Sequence, residues 1–170
     1  MHLRMSLLIF ALAVLALSAA GVARGAQTYS DTISGHEYFA TSTDGKFAGR
    51  ASGALPGYWN ADVEHTPLCA SCTPTATITG GTFEVATTLN GSYALVTGDF
   101  VGGAVQVTNA GADCTNQTFT VDGDLGNVGS WYSGSGSGTF SATLTHYRAR
   151  VFGSCITYAA SIAGTLSLTF

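Results

Sequence analysis

The 170-residue chain predicts an all-β fold: a curved antiparallel sheet of about eight strands closed into a small β-barrel, with a two-sheet β-sandwich as the alternative. Three observations carry this expectation. The last fifteen residues alternate without a break, with Ile156, Tyr158, Ala160, Ile162, Gly164, Leu166, Leu168 and Phe170 on one parity and Thr, Ser and Ala on the other. Successive strand side chains point to opposite faces, so an unbroken period of two reads as a strand with one oily face. Similar segments recur along the chain with Gly, Asn or Pro between them, and no window shows the spacing of an amphipathic helix. Finally, Asn90-Gly91 stands between two such segments, and both residues accept the positive φ angles of a type I′ hairpin turn.

From the N-terminus, Arg4 precedes the apolar run Leu7–Ala20 and the small residues Gly21 to Ala26. This pattern predicts a signal peptide over residues 1–25, with cleavage between 20 and 26, and a single all-β domain over 26–170. The apolar run is well short of the ~20 residues a membrane helix needs. All ten acidic residues follow the leader, against Lys46, Arg50, Arg148 and Arg150, which leaves a net charge of −6. A nucleic-acid partner is therefore not expected.

The alternating segments follow in order. Phe47, Gly49, Ala51, Gly53 and Leu55 alternate with Lys46 to Ala54 and stop at Pro56-Gly57; Ala76 and Ile78 alternate with Thr75, Thr77 and Thr79; Gly80-Gly81 then leads into Phe83 and Val85. Tyr93 to Phe100 follows the Asn90-Gly91 turn, Gly102-Gly103 separates it from Val105 and Val107, and Phe119, Val121, Gly123 and Leu125 make the next strand. In the penultimate segment the apolar residues move from even positions (Phe140, Ala142, Leu144) to odd ones (Tyr147, Ala149, Val151), which predicts a bulge or barrel corner near His146. The glycine-rich alternation resembles in texture the small barrels of dirigent and allene oxide cyclase proteins, without a diagnostic motif, and no residue or activity transfers from it.

Four cysteines lie after the leader, and an even count in an exported chain predicts two disulfides. Of the three possible pairings, Cys69–Cys72 and Cys114–Cys155 are favoured: the first pair shares a short loop, and the second flanks segments able to lie side by side. These cysteines and the leader place the protein in a secreted, extracellular or periplasmic setting. His65 with Cys69 and Cys72 is a weak zinc pattern, a single Cys-x-x-Cys without a second, so no metal is assigned. Thr73 stands where a c-type haem would need His, and no cofactor is expected.

The segment Tyr58–Cys72 reads as a non-alternating loop carrying Tyr58, Trp59, Asp62, Glu64 and His65, and loops on rigid scaffolds concentrate function. The run Gly129–Gly138 offers Trp131 and Tyr132, aromatics suited to stacking on a sugar or a flat hydrophobe. His146 and His36 have no carboxylate or cysteine at ligand spacing and read as surface or structural residues. No nucleophile is tied by spacing to a base, so no catalytic residue is assigned. The expected function is a secreted non-catalytic module binding a polysaccharide or a small hydrophobic ligand. The Phe170 ending, which resembles the closing strand of outer-membrane barrels, supplies one alternative, with membrane insertion not favoured because most segments are short. An enzyme of unknown reaction on a small barrel is the other.

Overall fold

The computed structural model describes residues 25–69, 72–131 and 134–170, so the predicted leader lies outside it except for Gly25. Eight strands follow in chain order: β1 (Thr28–Ala40), β2 (Asp44–Gly53), β3 (Gly57–His65), β4 (Thr75–Leu89), β5 (Ser92–Asn109), β6 (Gln117–Ser130), β7 (Gly136–Val151) and β8 (Ser154–Thr169). Each is antiparallel to the next, and β8 returns to pair with β1, so the sheet closes into an up-and-down barrel rather than a sandwich. Both favoured disulfides form, Cys69–Cys72 and Cys114–Cys155.

Alternation decides what fills the barrel. Ile33, Phe47, Trp59, Val63, Phe83, Val85, Val96, Phe100, Val121, Phe140, Ile162 and Leu168 all point inward and are buried. The alternate positions of β1, β7 and β8 carry outward Thr28, Ser30, Thr32, Thr139, Ser141, Thr143 and Thr165. The interior is packed with side chains over most of its length, as expected for eight strands. Gly35 and Gly49 face each other across β1 and β2, where a Cβ on either would run into the neighbouring backbone. The space they leave lets the Trp59 indole reach over β2 and donate to the Ser34 carbonyl at 3.1 Å.

Three sequence expectations change. Gly57–His65 is strand β3, not loop, with Trp59, Ala61 and Val63 inward and Tyr58, Asn60, Asp62 and Glu64 outward. Gly80-Gly81 and Gly102-Gly103 lie inside β4 and β5 rather than between strands, and the β5–β6 ladder is irregular beside Gly102. The irregularity near His146 is present, but β7 keeps its face. The extra residue is Tyr158 in β8, between Tyr147↔Ala159 and Arg148↔Thr157. Tyr147, Ala149 and Val151 therefore belong to a hairpin arm that runs past the barrel rim, since the β1–β8 ladder ends at His36↔Ser161 while β7–β8 continues to Val151↔Ser154.

One end of the barrel is closed. Leu55 and Val128 are fully buried there, and Tyr29 stacks on Phe170 at 4.9 Å. Asp31 is buried beside them; its Oδ1 accepts the Leu55 N–H at 2.8 Å, while Oδ2 has no partner. Burial pushes this carboxyl above the usual aspartate range, partly offset by that hydrogen bond. Because the folded-state pKa is raised, the stability it contributes is complete below the unfolded value of 3.8 and is lost as pH rises through the folded value. Asp31→Asn keeps the acceptor and removes the charge. Its melting temperature at pH 7 is expected to exceed the wild type's by about 3 °C, the equivalent of ~1 kcal/mol for a domain of this size, with no gain below pH 3. A thermal scan in which Asn lowers the neutral-pH midpoint contradicts this account.

Candidate ligand-binding mouth

The opposite end is open. There the ends of β1, β3 and β7 and the starts of β2 and β6 surround a cavity of about 230 Å³. A dry cavity of about 150 Å³ is enough to admit benzene. The walls are Phe47, Val63, Phe119, Val121 and Leu144, each an inward residue of its strand. The polar side chains at the opening are Glu37, Thr41, Asp44, His65, Gln117 and His146.

Glu37 and His146 form the centre of this polar set. Glu37 continues the inward parity of β1 after Ile33 and Gly35, and His146 continues that of β7 after Ala142 and Leu144. Their strands both flank β8, and their side chains meet with the imidazole Nε2 donating to the Glu37 carboxylate at 2.7 Å. The two side chains are only 8% (Glu37) and 18% (His146) exposed. The imidazole also lies against the Phe119 ring, 4.9 Å between centroids. A carboxylate and an imidazole are thus held together against an apolar wall, which strengthens their interaction relative to water.

The other polar groups are fixed by neighbours. The hydroxyls of Thr43 and Thr41 donate to the Asp44 carboxylate at 2.7 and 2.8 Å and hold its pKa below the usual range. His65 Nδ1 donates to the Thr66 carbonyl at 2.8 Å, and Gln117 Nε2 donates to the Ala110 carbonyl at 3.0 Å. The rim is braced on one side by the Cys69–Cys72 loop and on another by the short turn Ala112–Cys114, which the second disulfide ties to the start of β8.

The residues singled out from the sequence do not converge. Tyr58 is on the outer wall, 60% exposed, with its ring under the Arg50 guanidinium at 4.5 Å and its hydroxyl accepting from Arg50 at 2.7 Å. Trp59 is a core residue, 4% exposed, beside the Phe140 ring. Asp62 pairs outside with Lys46, whose pKa that hydrogen bond raises. Glu64 is exposed on the outer face, and of this group only His65 reaches the mouth. Trp131 lies at the closed end, edge-on to Tyr93 at 5.5 Å, and Tyr132 lies outside the described residues. Among the described residues, no three His, Cys, Asp or Glu side chains converge in a metal-binding group.

No protein-family model matches the chain, and neither a curated protein nor a solved structure matches it. The mouth is therefore read from its own chemistry. Glu37 and His146 are 109 residues apart, beyond any spacing rule. The signal that finds them is a polar residue on the oily parity at a strand's end.

Proposed function

We propose that the protein is an exported, non-catalytic binding module whose barrel mouth takes one small, largely apolar ring bearing a hydroxyl group, about the size of phenol. The observation that carries this is the 2.7 Å Glu37–His146 pair set among Phe47, Phe119 and Leu144 beside an open cavity. With the imidazole N–H given to Glu37, the pair presents acceptor lone pairs to the mouth, and a hydroxyl donates to them without bringing a charge out of water. The apolar walls supply the remaining affinity by burial. Two disulfides support an oxidising compartment. The hydroxyl-rich outer face supports a water-facing barrel, since a lipid-spanning one needs an apolar outer band.

The test is a thermal-shift and calorimetric panel of phenol, cyclohexanol, toluene and glucose. Phenol or cyclohexanol at a hundredfold excess over Kd is expected to stabilise the fold by about 2.7 kcal/mol, a rise of roughly 8 °C. Toluene should bind more weakly, and His146→Leu should erase the preference for the hydroxyl. Binding of glucose alone, or an unchanged preference in His146→Leu, overturns the proposal. The same pair favours a second reading, because a carboxylate-oriented imidazole is an acid–base unit. Product formed from a bound ester or enolisable ketone, and lost in His146→Leu, would make the mouth an active site.

A further inference from the structure

The β7–β8 arm is the part of the molecule that packing inside the barrel does not explain. Beyond the last β1–β8 pair, the ladder partner of β8 among the described residues is β7 alone. Six large apolar side chains are exposed on this arm and the adjoining end of β1: Tyr38, Phe39, Val151, Phe152, Ile156 and Tyr158. Concentrated exposure of this kind marks an interaction surface. At the tip, Phe152 and Gly153 form a two-residue turn with φ of 49° and 85°, and Phe152 is fully exposed. A left-handed residue in such a turn is ordinarily Asn or Gly, so a bulky aromatic there is held against its conformational preference without any packing in return.

Charge indicates what the arm meets. Residues 147–160 carry Arg148 and Arg150 and no acid, in a chain that is net −6 over residues 26–170 with the arm included. Arg148 donates to the Gly111 carbonyl at 2.9 Å, and Arg150 is exposed beside the tip. Asp113, on the turn the disulfide ties to β8, offsets one of these charges, and the Glu37 carboxylate next to Tyr38 is turned to His146. We infer that the arm docks the protein on an anionic lipid surface, with Phe152, Val151 and Ile156 entering the headgroup boundary and Arg150 meeting lipid phosphates. The acidic body is repelled by the same surface, so contact is confined to the arm and the barrel stands end-on. The Cys114–Cys155 bridge ties the arm, at the Arg150↔Cys155 pair next to its tip, to the Ala112–Cys114 turn, which holds the arm in one orientation. This is peripheral attachment, at the end of the barrel that also carries the mouth.

The experiment uses the exported product of the full chain in co-sedimentation with vesicles of phosphatidylcholine, alone or mixed with phosphatidylglycerol. Binding is expected to the mixed vesicles and to weaken in high salt. Phe152→Asn should weaken it about tenfold or more through lost apolar burial, and Arg150→Gln about fivefold. Asn suits the turn, so the melting temperature of Phe152→Asn should equal or exceed the wild type's, which separates lost docking from lost folding. Failure to bind mixed vesicles, equal binding to both vesicle types, or undiminished binding by Phe152→Asn overturns the inference. So does a dimer seen by sedimentation velocity without lipid that Phe152→Asn dissolves, which assigns the arm to a second copy.

Discussion

Phe140→Ala is expected to cost about 3–5 kcal/mol, a large part of the 5–15 kcal/mol that holds a typical domain folded. Phe140 stands on the inner face of β7, 2% exposed, with its ring 5.8 Å from Trp59 on β3 and 5.7 Å from Phe100 on β5. It therefore joins strands that are not neighbours in the sheet, across the middle of the barrel. The wall around it is a continuous hydrogen-bonded hoop, which cannot contract to fill the space a deleted ring leaves. Truncation should consequently cost the lost burial and most of the cavity term together. Urea unfolding followed by tryptophan fluorescence measures this, and a loss under ~1 kcal/mol would show that the interior repacks. Phe140→Leu, which retains most of the volume, should lose markedly less.

Removal of the Cys114–Cys155 bridge comes next in size. It closes a loop of 41 residues, and the chain-entropy relation gives about 4 kcal/mol for a loop of that length. The Cys69–Cys72 bridge spans three residues, and the same relation gives about 2 kcal/mol. Replacing Cys114 and Cys155 together by Ser should thus lower the melting temperature more than replacing Cys69 and Cys72 does. The reverse order, measured by calorimetry on the two double variants, would mean that the long bridge restrains the arm alone and leaves the barrel's stability to its ladders.

The sequence made the strands legible wherever the oily parity was filled by oily residues, as in Phe47 to Leu55 or Ile162 to Leu168. β1 was hidden because its inward positions include Asp31, Gly35 and Glu37, one an orphaned carboxyl, one a gap for Trp59's reach, and one a polar group of the mouth. β3 was hidden by its outward residues: Tyr58, Asn60, Asp62 and Glu64 gathered so much apparent chemistry that the alternation of Trp59, Ala61 and Val63 beneath them read as a loop. The candidate site was less legible than the fold for a related reason. Its carboxylate and imidazole come from the first and seventh strands, brought together because both flank β8. Of the mouth's polar residues, only His65 lies in a segment whose composition suggests a site. Nothing in the spacing of Glu37 and His146 announces that juxtaposition, which depends on closure of the barrel.

That closure also governs how the protein must come into being. The first strand of the barrel to be synthesised pairs with the last, β1 with β8 from Thr28↔Thr169 to His36↔Ser161. Without β8 the other seven strands would make an open sheet with two bare edges, the arrangement most prone to pair with another chain. Cys155 and Cys114 precede most of β8, so oxidation there can tether the incoming strand before its register with β1 is set, shortening the search over the longest sequence separation in the fold. The polypeptide thus spends its most vulnerable interval waiting for its own tail.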